Sequence, residues 1–154
     1  MDRPRTPPNV GRVPGCTCSR LRRATRAITQ LYDDALAPSG LRVTQFSLLR
    51  NLEREGPSRM SELAEKLLLD RTALTRTLEP LLAAGYVEVT RGRDARTRDV
   101  SITRTGRTAV AAAVGPWKRA QAAVARRIGR ERLDALIATL AELESLHPDA
   151  AGRG

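Results

Sequence analysis

Three groups of side chains in this chain have the type and spacing for chemistry. Cys16 and Cys18 stand one residue apart and are followed by Arg20, Arg22, Arg23 and Arg26. Thiols this close in sequence do not make an ordinary structural bridge, so their options are reactivity or soft-metal ligation. A thiol that opens a helix beside guanidinium groups is electrostatically disposed to oxidation. The second group is Arg71, Thr72, Ala73, Thr75 and Arg76, which follow Asp70. Arginine there can pair with guanine O6 and N7, and threonine can reach bases or phosphates. The third group is the arginine set Arg91, Arg93, Arg96, Arg98, Arg104 and Arg107, opposed only by Asp94 and Asp99. Such a cluster suits the negative potential of a narrow minor groove.

The inventory argues against catalysis. His147 is the single histidine and lies beside Pro148. No glycine-rich phosphate loop and no metal-spaced cluster of Cys and His accompanies it, so the expectation is a non-enzyme with no cofactor and no metal. The bulk charge points elsewhere. Lys and Arg number 27 against 17 Asp and Glu, a formal net charge of +10 in 154 residues. Only Lys66 and Lys118 are lysines, which leaves 25 arginines, the side chain suited to phosphates and guanine edges. The aromatic share is 3%, too small for a platform that stacks single-stranded bases. With 41% hydrophobic residues the chain can close one real core. No apolar run is long enough to span a bilayer, and the segment before Cys16 has no apolar stretch for secretion, so the expected location is cytoplasmic with no membrane partner.

The elements that must position these groups are legible from periodicity. Residues 1–15 hold four prolines and three arginines without a period, the pattern of a disordered basic arm. Leu21, Ala24, Ile28, Leu31 and Ala35 then mark one face of a helix that ends before Pro38-Ser39-Gly40. Thr44 is expected to cap a short helix through Leu52, closed by Gly56-Pro57, and Leu63, Ala64 and Leu67 mark another. Asp70 is placed as the cap of a third, with Leu74, Leu78, Leu81 and Leu82 on its inner side, Pro80 as an interior kink and Gly85 at its end. The period then becomes alternating over 86–91 and 97–103, around a polar tip at 92–96, which predicts a two-stranded hairpin. Three short helices and a hairpin make a winged helix-turn-helix. A long helix from about Arg104, broken or kinked near Gly115-Pro116, and a last one carrying Leu133, Leu136, Leu140 and Leu143 complete the chain.

From Ser61 to Gly106 the chain resembles the MarR family of dimeric winged-helix transcription regulators. The matching residues are Ser61-Glu62-Leu63-Ala64, Leu69 to Arg76, Gly85-Tyr86-Val87, Asp94-x-Arg96 and Ser101-Ile102-Thr103-x-x-Gly106. The resemblance implies a mainly α fold with a small β-hairpin wing and N- and C-terminal dimerisation helices. It implies a single domain over 16–146, with dimerisation helices in 16–40 and 104–146, a DNA-binding lobe in 41–103 and a flexible tail at 147–154. It further implies a repressor released from a pseudo-palindromic operator by a small-molecule effector. Residues 71–76 would serve the major groove, and Arg91, Arg93, Asp94, Arg96 and Arg98 the wing, with Asp94 orienting the nearby arginine. The effector cleft of the family would be lined here by Tyr32, Phe46 and Trp117.

A narrower similarity links Cys18 to Arg26, and Tyr32, to the organic-hydroperoxide-sensing branch of that family. Where that branch places two tyrosines to hold its thiol, this chain has Val43 and Phe46. The expected partners are therefore double-stranded DNA, a second copy of the chain and an effector. The alternatives are a thiol-based redox sensor using Cys18, with or without Cys16, and a non-specific architectural DNA-binding protein.

Overall fold

The computed structural model describes residues 15–148 apart from Arg93 and Ala95; the basic arm before Gly15 and the tail beyond Pro148 lie outside the described residues. The order is α1 (Thr17–Leu36), α2 (Val43–Glu55), β1 (Ser58–Arg59), α3 (Met60–Lys66), α4 (Arg71–Ala83), β2 (Val87–Arg91), β3 (Arg98–Ile102), α5 (Arg104–Ile128) and α6 (Arg130–Glu144). This is the expected mainly helical chain with a β wing. The sheet has three strands rather than two, in the order β1-β3-β2 and antiparallel throughout. Ser58 and Arg59 pair with Val100 and Asp99, so the loop between the second and third helices becomes the outer strand of the wing.

Burial explains the central lobe. Phe46, Leu48, Leu49 and Leu52 of α2, Leu63 of α3, and Leu74, Leu78 and Leu81 of α4 close on Val87, Val100 and Ile102 of the sheet and on Val110 and Ala113 of α5. Leu82 does not join them: it is 42% exposed, because one further residue rotates it off the inner face of α4. The cap of α2 also differs from expectation. Arg42 is its N-cap, and its amide donates to Gln45 Oε1 at 2.9 Å, so Thr44 falls within the first turn. The amide of Val43 donates to Asp33 Oδ1 at 2.7 Å, which ties α1 to α2. Lys66 Nζ donates to Glu55 and holds its carboxyl below the usual carboxylate range, joining α2 to α3.

Neither interior proline ends its helix. Pro80 lies within α4 and Pro116 within α5, which runs unbroken from Arg104 to Ile128. Each forfeits one backbone hydrogen bond, a loss near 3 kcal/mol in an isolated helix. Packing offsets it: Leu78 and Leu81 flank Pro80 in the core, and Ala113 and Ala120 anchor α5 on either side of Pro116.

Where the lobe meets α5, Thr103 and Gly106 make a tight junction. Thr103 Oγ1 donates to the Gly85 carbonyl at 2.6 Å and accepts from the Gly106 amide at 3.0 Å, while the Thr103 amide donates to the Tyr86 carbonyl at 3.0 Å. A Cβ on Gly106 would stand 2.1 Å from the Tyr86 carbonyl oxygen and 2.8 Å from Ile102 Cγ1. The helix can approach β2 this closely only without a side chain. Gly106→Ala should therefore lower stability by about 1–3 kcal/mol in urea unfolding. Gly115→Ala, on an exposed stretch of the same helix with only the Arg119 guanidinium near at 3.6 Å, should be neutral or stabilising. Equal effects of the two substitutions would exclude the close approach as the reason for glycine at 106.

Candidate nucleic-acid interface

Asp70 ends the turn after α3 and caps α4: its Oδ1 accepts from the Ala73 amide at 2.7 Å. That turn passes through Leu68, the one described non-glycine residue with a left-handed backbone, at φ 51°. The cap fixes the first turn of α4, where Arg71 and Thr72 are exposed; Ala73 is half-buried and Leu74 fully so. Thr75 and Arg76 emerge on the outer side one turn later. The Thr75 hydroxyl donates to the Arg71 carbonyl at 2.9 Å, which leaves its oxygen lone pairs outward as acceptors. Arg71, Thr72, Thr75 and Arg76 thus form one polar face backed by the leucine core, with Ala73 half-buried at its edge.

The wing is built around Asp94. Its Oδ1 accepts from the Arg96 amide at 3.0 Å, and its carbonyl accepts from the Thr97 amide and hydroxyl, both at 2.8 Å. The aspartate therefore acts on Arg96 through the backbone of the turn rather than by pairing with its guanidinium. Gly92 donates to the Thr97 carbonyl at 3.0 Å, and a Cβ there would meet Thr97 Oγ1 at 2.1 Å, so the neck of the hairpin also requires glycine. Arg91 and Arg98 occupy directly opposite register positions on β2 and β3. Like charges so placed destabilise a sheet, and an external polyanion would relieve the repulsion. Arg93 lies outside the described residues.

A cleft of about 430 Å³ joins these two elements. Arg71 and Thr75 of α4 line one side and Arg96 and Arg98 of the wing the other, with Leu78, Leu82 and Val89 as an apolar floor. Arg59, which sequence reasoning passed over, completes the basic rim from β1. A two-residue strand carries no period of its own, and its place is set by pairing with residues some 40 positions further along, so nothing local marked it.

The remaining site residues lie apart from this cleft. Tyr32 of α1 donates its hydroxyl to Gln121 of α5, and burial pushes the phenol above its ordinary value. Phe46 is 2% exposed, with its ring centroid 5.8 Å from that of Trp117, so both belong to the packing of α2 on α5. Cys16 stands at the N-cap position of α1 without a side-chain capping bond, and Cys18 sits in the first turn; both are free and exposed. Cys18 lines a shallow apolar groove with Leu21 of α1 and Leu143 and Leu146 from the C-terminal end.

The comparisons with known proteins agree with this geometry. The family model described as MarR family matches residues 41–97, the winged lobe. The M. tuberculosis transcriptional regulator MosR, solved in complex with DNA, is 41% identical and superposes with a TM-score of 0.76 over 86% of this chain and 98% of its own. The transcriptional repressor CouR, bound to a 23-mer DNA duplex, is 27% identical with a TM-score of 0.76 over 84% of this chain and 92% of its own. An HTH-type transcriptional regulator of Bacillus cereus is 32% identical over 91 residues, and the match spans 60% of its length. Among the described residues, no helix is long and apolar enough to cross a membrane.

The role of Asp94 in the turn is open to a direct check. Asp94→Ala removes the acceptor of the Arg96 amide, so amide hydrogen exchange at Arg96 should accelerate while exchange in α4 and α5 stays as it is. Unchanged protection at Arg96 would show that the turn holds without that carboxylate.

Proposed function

We propose, for a chain that belongs to the MarR family of transcriptional regulators, that it binds double-stranded DNA as a homodimer and reads a pseudo-palindromic operator, acting as a repressor. The observation that carries this is the shared cleft: Arg71 and Thr75 on α4 and Arg96 and Arg98 on the wing converge on one surface. On that surface the N-terminal half of α4 enters the major groove, where Arg71 and Arg76 address guanine edges and Thr72, Ala73 and Thr75 meet neighbouring bases or phosphates. Arg96 reaches the flanking minor groove, with Arg91, Arg93 and Arg98 adding attraction along the backbone. That MosR and CouR were each solved on DNA supports the same docking here.

Dimerisation is supported by what the single chain leaves uncovered. No residue of α6 is buried, and Leu136, Ile137 and Leu146 are 42%, 54% and 77% exposed. Ile28 and Leu31, on the stripe of α1 that periodicity marked as a core face, are likewise exposed. A second copy packing its own α1 and α6 on these faces removes them from water and places two α4 helices about one helical turn of DNA, some 34–36 Å, apart.

Control of binding follows from the same layout. A small-molecule effector acts by favouring a dimer whose α4 spacing no longer matches the operator. Tyr32, Phe46 and Trp117 stand where α1 and α2 meet α5, the junction between the dimerisation helices and the winged lobe. CouR, solved with p-coumaroyl-CoA, gives precedent for a ligand on this fold. A second reading rests on Cys16 and Cys18: exposed, free and at the opening of α1, they are open to a hydroperoxide. The thiolate of Cys18 would be oxidised to a sulfenic acid while the peroxide is reduced to an alcohol.

Three measurements test the proposal. On an operator selected from random duplexes, Arg96→Ala should weaken binding to all sequences, whereas Arg71→Ala or Arg76→Ala should flatten base preference at defined positions, at a loss of about 1–3 kcal/mol each. Equal affinity for operator and scrambled duplex would favour an architectural protein instead. Leu136→Glu with Ile137→Glu should convert the dimer to monomer in sedimentation velocity and abolish operator binding; a dimer that persists would put the interface elsewhere. If Cys18→Ser leaves release by organic hydroperoxide unchanged, the thiol reading falls and the effector reading stands.

A further inference from the structure

We infer that the cleft between α4 and the wing is the seat of the sugar-phosphate strand that separates the two grooves, and that Arg59 is a phosphate-clamping residue. The inference rests on the docking proposed above. If the start of α4 occupies the major groove and Arg96 the adjacent minor groove, the strand dividing those grooves must pass between the two elements. The space between them is this cleft, about 430 Å³ in volume.

Its chemistry fits a phosphodiester backbone. Four guanidinium groups, Arg59, Arg71, Arg96 and Arg98, border it against the single carboxylate of Glu79. Glu79 is two helical turns beyond Arg71, on the side remote from the groove-entering end, so it bounds the seat rather than filling it. The floor of Leu78, Leu82 and Val89 offers a deoxyribose an apolar surface and gives the exposed Leu82 a partner.

Arg59 is available for the task. It is fixed at its backbone by pairing with β3 opposite Asp99, yet its side chain is 54% exposed and touches Glu62 only at 4.0 Å. A guanidinium on so loose a tether can leave that carboxylate for a phosphate, where charge-assisted bonds are stronger. Because it stands on β1 and not on α4 or the hairpin, it meets the backbone alone and carries no base information.

The test uses the full-length chain and the selected operator duplex, with binding followed by fluorescence anisotropy across a salt series. Arg59→Gln should lower the slope of log affinity against log salt by about 0.9, which makes its deficit shrink about threefold between 50 and 200 mM salt, and should leave the ranking of operator variants unchanged. Arg59→Lys should keep the slope, and Glu79→Gln should tighten binding to operator and scrambled duplexes alike. A neutral methylphosphonate placed in turn at each phosphate of the dividing strand should weaken the natural chain at one or two positions, and Arg59→Gln should be insensitive at the same positions. A wild-type slope in Arg59→Gln, with Arg71→Ala and Arg96→Ala still impaired, would overturn the clamp while leaving the docking intact. An altered base preference in Arg59→Gln would overturn it as well, by making Arg59 a reader of sequence. Loss of binding in none of the arginine variants would instead remove the docking on which the clamp depends.

Discussion

The approach of α5 to the Tyr86 carbonyl, which only a glycine at 106 permits, is the constraint on which the arrangement of the binding surface depends. Thr103 completes it by capping α5 through the Gly106 amide while its hydroxyl donates to Gly85, the residue that ends α4. One threonine and one glycine thus bring the end of α4, the start of β2, the end of β3 and the start of α5 to a single point. The hairpin leaves that point in a register set by Val87 opposite Ile102, and it carries its basic tip away on two five-residue strands. The separation between the polar face of α4 and the tip at Arg96 is therefore inherited from the junction and not chosen by the loop. The same junction begins the long helix that packs on α1, so the position of α1 and the placing of α4 and the wing are linked through one helix.

The places where this chain departs from ordinary stabilising choices coincide with the surfaces assigned a partner. Arg91 faces Arg98 across the sheet, a pairing that costs stability in an isolated wing. Leu82 stands in water beside a ring of guanidinium groups. Leu136 and Ile137 are exposed on a helix that buries nothing in the single chain, and Leu146 is exposed just beyond its end. Burying one such side chain is worth about 1.5–3 kcal/mol, so leaving several open is costly unless something covers them. The first two departures face the basic cleft and the last faces the apolar ends, and the two surfaces ask for different partners: a polyanion in one case and a matching apolar helix in the other.

How much of this was readable in the sequence depends on the range of the interaction that decides each feature. Asp70 as the cap of α4, Gly56 and Gly85 as helix ends and the hairpin around 92–96 were legible because each is settled by residues within one turn of one another. The resemblance carried by Leu69 to Arg76 and by Asp94-x-Arg96 drew attention to α4 and the wing, and the structure brings these two elements together around one basic cleft. Strand β1 was not legible, since its pairing with Val100 and Asp99 is long-range and two residues show no alternation. Thr44 was read as a cap from its residue type, but the tie between Asp33 and the Val43 amide starts the helix earlier, with Gln45 accepting from Arg42. The α1 stripe was correctly periodic and still largely unburied, because periodicity reports that a face seeks cover and is silent on which chain supplies it. Pro80 and Pro116 were read by the local cost of a missing hydrogen bond; both stay inside continuous helices, so of the two outcomes expected at Gly115-Pro116 the break does not occur.

The charge of the chain resolves in the same way into parts with distinct physical roles. A net charge of +10 attracts any polyanion and by itself distinguishes no sequence. What converts attraction into orientation is the set of guanidinium groups whose backbones are fixed independently: Arg59 by strand pairing, Arg71 by the Asp70 cap, and Arg96 by the Asp94 turn. Each lies on a different element, and all three border one cleft. Cations carried on three fixed backbone positions favour few orientations of a polyanion laid across them, and the proposed docking draws on that constraint. Orientation of this surface rests less on the number of arginines than on the short hydrogen bonds, most of them to backbone amides, that hold the backbones of three of them in place.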